Sequence, residues 1–147
     1  MKNALLRMTG ILALALLATT QAVQAQEPVV ASIPFAFTAG DTALPAGEYR
    51  VEKMHGSSHV LLIRCTEGRP AIMVTALPAS SNEPQKKTKL IFNRYNDRYF
   101  LAQVWSEGSS RGSEMPRSAK EKEQGLLARN ETPDQVTIVA RLTSPKP

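Results

Sequence analysis

Between Val29 and Trp105 apolar and polar residues alternate with a period of two. That pattern confines the segment to extended strands with one face turned to a core. The stretch "VVASIPFAFT" sets Ala31, Ile33, Phe35 and Phe37 on one face and Pro34 on the other. Proline cannot donate to a ladder, so this strand is expected at an edge or a bulge. "LPAG" (residues 44–47) reads as a β-turn, with Pro45 fixing φ at its second position. "EYRVEK" then points Tyr49 and Val51 inward and Glu48, Arg50 and Glu52 outward, so one side of that strand faces water. "HVLLIRC" and "PAIMVTAL", joined through "TEGR", carry apolar residues on both faces, which predicts interior strands covered on each side. "PASSNEPQKK" (78–87) reads as a loop.

The segment "LIFNRYNDRYFLAQVW" (90–105) holds two of the three tyrosines, the only tryptophan and two of the four phenylalanines. Asn96 and Asp97 tolerate the left-handed backbone of a tight reversal, so two strands meet there. A two-residue loop would pair Tyr95 with Arg98; a three-residue loop with a bulge would pair Tyr95 with Tyr99. The second register is preferred, because it gathers Leu90, Phe92, Phe100, Ala102 and Val104 on one wholly apolar face. The other face then carries Ile91, Tyr95, Tyr99, Leu101 and Trp105, with Asn93 and Gln103. Such a face suits stacking on sugar rings, which makes Tyr95, Tyr99 and Trp105 the candidate ligand-binding residues. It equally suits burial under a helix, with each polar tip finding a partner, and burial is the expectation adopted.

The helix in question begins at "SAKE". Ser118 and Glu121 form a capping-box match: the hydroxyl can accept from the Glu121 amide while the carboxylate reaches back. The helix should span about 119–129, with Gly125 weakening its middle. The preceding "SEGSSRGSEMP" reads as flexible and polar, and the closing "QVTIVARL" puts Val136, Ile138, Ala140 and Leu142 on one face. With no internal repeat, the expected fold is all-β: an antiparallel sandwich or partly open barrel of about seven strands, with one late C-terminal helix.

The N-terminus carries Lys2 and Arg7, then the apolar run "GILALALLA", then Val23 and Ala25 at the small-residue positions before a cut. This is the pattern of a secretory signal peptide over residues 1–25. Its run is short of the ~20 apolar residues of a membrane span, so no transmembrane segment is expected once it is removed. Residues 26–147 then form a single β-rich domain, periplasmic or secreted. Loss of Lys2 and Arg7 lowers the formal charge from +5 to +3, which does not resemble a nucleic-acid binder. The densest basic cluster, Lys86, Lys87 and Lys89, could attract an anionic envelope polymer. Cys65 is the only cysteine, and its place on the Leu61 and Ile63 face predicts burial.

Chemistry-bearing motifs are sparse. His55 and His59 are four apart, but Gly56-Ser57-Ser58 places a turn between them and no HExxH pattern follows, so no metal site is expected. Ser57 and Ser58 lie beside His59 without a nucleophile elbow. Glu48 and Glu52 read as a solvated face with Arg50. No glycine-rich phosphate loop follows a strand, and no catalytic residue or cofactor is assigned.

On "IPFAFTAGDTALPAGEYRV" and "KLIFNRYNDRYFLAQVW" the chain resembles a group of small exported β-rich proteins of soil bacteria. Those motifs carry no assigned activity. "LPAGEYRV" is also similar to the turn-plus-strand of prealbumin-like and carboxypeptidase-regulatory-type sandwich domains, which bears on fold alone. The function expected is an exported, non-enzymatic binding or structural module of the cell envelope. Its partner would be an envelope polysaccharide or another envelope protein. The alternative is an envelope-glycan or lipid hydrolase with catalytic residues still to be identified.

Overall fold

The computed structural model describes residues 27–143 apart from positions 55, 58, 69, 130 and 131. The signal peptide expected over residues 1–25, and its expected removal, fall outside the described residues. Twelve strands and one helix are found among those residues. The first sheet runs β12 (Arg141–Leu142), β1 (Val29–Ile33), β4 (Gly47–Lys53), β5 (Val60–Cys65) and β6 (Ala71–Thr75), antiparallel throughout. The second runs β11 (Asp134–Val139), β8 (Lys89–Tyr95), β9 (Arg98–Trp105), β10 (Arg111–Glu114) and β7 (Leu77–Ser80). Two short strands, β2 (Phe37–Ala39) and β3 (Thr42–Leu44), join it beside β9, with Thr38 parallel to Phe100. The late helix, α1, spans Ala119–Leu127. The fold is a β-sandwich with one late helix.

The seven alternating stretches all contain strand, but the first, the fourth and the last are each cut where the chain changes sheets. Pro34 lies at the first cut, between β1 in one sheet and β2 in the other. It therefore marks a crossing, where no ladder bond is asked of it, and not an edge strand or a bulge. Ala140 makes the last cut, and Ala76 carries the chain from β6 to β7 in the same way. Each of these alanines still donates to the sheet it is leaving, Ala76 to the His59 carbonyl at 2.8 Å and Ala140 to that of Thr88 at 2.9 Å. Strands that switch sheets make the corners of a sandwich. Here the chain passes between the sheets at both flanks, from β6 to β7 and from β11 to β12.

The inner faces supply the core: Val29, Ala31, Ile33, Tyr49, Val51, Leu61 and Ile63 from one sheet, Leu90, Phe92, Leu101 and Val104 from the other. Val136, Ile138, Ala140 and Leu142 pack against it from the final segment, on one face as the alternation predicts. The two most distinctive sequence stretches meet here. Tyr99 stacks on Phe35 with ring centroids 3.9 Å apart; Phe35 and Phe37 each meet Phe92 edge-on, and Phe37 meets Tyr49 at 5.1 Å. This unbroken aromatic chain ties the hairpin to the "LPAGEY" turn. The Tyr49 hydroxyl donates back to the Pro45 carbonyl at 2.6 Å, the arrangement of a tyrosine corner.

Three expectations are corrected by the sheets. β6 is an edge strand, not an interior one, and Met73 on its outer face is 62 % exposed. The outer face of this sheet is open and carries Arg50, Glu52 and Arg64 in a row of ion pairs. Cys65 shares the inward row of Leu61 and Ile63 but is half-buried, because it is the last residue of β5 and sits at the sheet's end opposite Tyr49. The polar segment after Trp105, read as flexible, contains β10, which pairs with both β9 and β7; Ser113 in it and Met115 just after it are buried.

Candidate functional site

The hairpin adopts the two-residue loop, with Tyr95 opposite Arg98 and Asn96 at a φ of 52°. The preferred three-residue register is overturned. The bulge lies farther along, where Ala102 falls between the Leu101–Phe92 and Gln103–Ile91 pairs. It marks the point where β9 exchanges β2 for β10 as its neighbour, and the Ala102 carbonyl accepts from the Met115 amide at 2.8 Å. A bulge there lets the strand bend between two partners. One consequence is that Tyr99 and Leu101 face inward with Phe92, while Phe100 faces outward with Tyr95.

The three predicted aromatic residues therefore do not form one surface. Tyr99 is half-buried on the inner face against Phe35. Tyr95 is buried on the outer face near the hairpin tip, and Trp105 is buried at the opposite end of the same strand pair. The indole N–H of Trp105 donates to Gln103 Oε1 at 2.9 Å. Its ring lies over Gly112 so closely that a Cβ there would come 2.6 Å from Trp105 Cε3.

The helix does reach the Tyr95 end, by a different route from the one expected. Ser118 caps it as predicted, accepting from the Glu121 amide at 3.2 Å. The Glu121 carboxylate does not reach back to complete the box. It is only 4 % exposed and its Oε1 accepts from Asn93 Nδ2 at 2.8 Å and from the Tyr95 hydroxyl at 3.1 Å. Arg117 Nε lies 4.0 Å from the same oxygen. Burial, then the Glu121 charge and its hydrogen bond, raise the Tyr95 pKa above its ordinary 10.0, with Arg117 opposing. Leu126 and Leu127, the residues expected to press on the indole, are 80 % and 69 % exposed. The covering face of the helix is Glu121 with the half-buried Gln124, Gly125 and Ala128.

A concave feature with mixed apolar and polar walls lies elsewhere, between the two sheets at one end of the sandwich. It is a cavity of about 270 Å³ whose walls include Val29, Val51 and Leu61 from one sheet and Val104 and Ser113 from the other. Its rim carries Glu27, Glu52, Lys53 and Arg111. Lys53 continues the inward row of Tyr49 and Val51 on β4; Arg111 continues that of Ser113 on β10. In each row the last position is a cation instead of an apolar residue. Sequence reasoning passed over both. The signal was present in the alternation of "EYRVEK", but Arg111 could be recognised only once its segment was known to be a strand.

Lys86, Lys87 and Lys89 border a broad open depression of about 590 Å³ together with Thr137 and Val139 of β11. Among the described residues no group of three or more His, Cys, Asp and Glu is placed to hold a metal ion, and His55 lies outside them. No described helix is long and apolar enough to cross a membrane. Comparison with family models, curated proteins and solved structures finds no match.

Proposed function

We propose that this protein is an exported binding module of the cell envelope, without enzymatic activity, that takes a small, mainly apolar ligand between the ends of its two sheets. The carrying observation is the cavity between the sheets: Val29, Val51, Leu61, Val104 and Leu142 line it beside Ser106, Ser109 and Ser113, and charged residues border it. An apolar patch with placed polar groups is the usual make-up of a small-molecule site, and this cavity, richer than most in serine and charge, is near the low end of the common size range of ~300–1,000 Å³. Export rests on the N-terminal segment, and the resemblance to small exported β-rich proteins agrees with it. The lysine-bordered depression is the surface best suited to an anionic envelope polysaccharide, which would hold the module in place while the cavity is filled.

Thermal unfolding in the presence of a panel of short-chain amphiphiles tests the reading. A ligand at one hundred times its Kd stabilises the folded state by about 2.7 kcal/mol, so a saturable rise in Tm is expected. A panel that leaves Tm unchanged refutes it. Turnover of an ester or glycosidic substrate by the purified protein would favour the hydrolase alternative.

A further inference from the structure

We infer that the cavity between the sheets selects an amphiphile with a single negative charge, such as a medium-chain aliphatic carboxylate, and that Arg111 and Lys53 receive its head group. The inference rests on the binding-module reading and adds the ligand's chemistry to it.

Charge at the mouth decides the sign. Four of the described charged residues border it, Glu27, Glu52, Lys53 and Arg111. Glu52 is already held on the outer face of its sheet, by Arg64 at 2.7 Å and Arg50 at 3.5 Å. Neither Lys53 nor Arg111 has an ion-pair partner among the described residues. Among the described residues, two uncommitted cations against the one remaining carboxylate, Glu27, leave an excess of one positive charge, which suits a monoanion.

Position decides the rest. Both cations stand at the ends of inward-facing rows, on strands from opposite sheets. Their charged tips therefore border the opening while the residues behind them, Val51 and Ser113, form the walls. A head group held there directs its tail past Val51, Leu61 and Val104. The guanidinium of Arg111 can meet a carboxylate with two parallel hydrogen bonds, which a lysine cannot do. Arg111 is accordingly the principal anchor and Lys53 the second. A cavity of about 270 Å³ accommodates roughly nine groups of water or methylene size, at ~30 Å³ each, so the tail should be of medium length.

The experiment is isothermal titration of the protein with hexanoate, octanoate, decanoate and dodecanoate below micelle formation. 1-Decanol and decyltrimethylammonium serve as neutral and cationic counterparts. Affinity for the carboxylates should rise about fourfold per methylene and level off near ten carbons. Decanoate should bind more tightly than decanol, and decyltrimethylammonium most weakly. Arg111→Gln should weaken decanoate about tenfold and leave decanol unchanged; Lys53→Gln should do the same to a smaller extent. Both side chains border solvent, and Trp105 emission checks that the variants remain folded. Equal binding of decanoate and decanol, or equal loss of both in Arg111→Gln, overturns the anion inference while leaving an apolar site standing. Failure of every amphiphile to bind overturns the binding-module reading as well.

Discussion

Replacing Glu121 by alanine removes the one side chain that helix α1 buries and the acceptor for two groups on β8. Asn93 Nδ2 and the Tyr95 hydroxyl both donate to Glu121 Oε1, and both residues are buried. Without the carboxylate each donor is left unpaired, at about 1–3 kcal/mol apiece. Relief of the carboxylate's own desolvation offsets part of that, so a net loss of about 2–4 kcal/mol is expected. A domain of this size is stable by about 5–15 kcal/mol, and urea slopes are about 1–3 kcal/mol per molar. The midpoint should therefore fall by roughly 1–2 M, read from Trp105 emission and far-ultraviolet circular dichroism. Glu121→Gln retains an acceptor for Asn93 and should lose less than half as much. Tyr95→Phe alone should cost about 1 kcal/mol, and its effect should shrink when combined with Glu121→Ala, because the two residues share one bond. If Glu121→Ala unfolds within about 0.5 kcal/mol of the parent, or the two changes are additive, the carboxylate is not what docks the helix.

Three further outcomes follow from the same geometry. Gly112→Ala forces a methyl group to within 2.6 Å of the Trp105 ring and 2.8 Å of the Val104 carbonyl oxygen; it should cost about 1–3 kcal/mol and shift the indole emission, whereas an unaltered midpoint would mean the ring is free to move. Leu126→Asp with Leu127→Asp should cost no more than about 2 kcal/mol, the scale of two anions at a helix C-terminus, and leave Trp105 emission unaltered; a red shift would show that the helix does cover the indole. Burial raises the pKa of Tyr49, with the Cys65 charge adding, and burial followed by Glu121 raises that of Tyr95. Above pH ~10 the unfolded chain releases those protons first, so it binds fewer than the native state and stability falls as pH rises. The fall begins at the ordinary tyrosine value and ends as pH passes the raised folded values, and Tyr95→Phe should reduce its slope.

The alternation of apolar residues determined the fold class, because a period of two permits only strands with one buried face. Tyr49, Val51, Leu61, Ile63, Leu90 and Phe92 are core residues for that reason alone. The helix start was equally legible, since the cap is a local bond between Ser118 and Glu121. What the sequence left open were matters that depend on a partner distant in the chain. The hairpin register depended on where β9 trades β2 for β10, and that exchange puts the bulge at Ala102 instead of at the turn. With it, Tyr99 moved to the inner face and the imagined aromatic platform came apart into core and outer positions. The helix offered two leucines and a glutamate, and apolar burial favoured the leucines. Asn93 and Tyr95 presented two buried donors, and Glu121 is the acceptor that meets both, so the glutamate went in and the leucines faced water. The cavity was least legible of all. Its walls come from both sheets, and the meaning of Lys53 and Arg111 depends on their standing at one opening, a relation that only the packing of one sheet on the other creates.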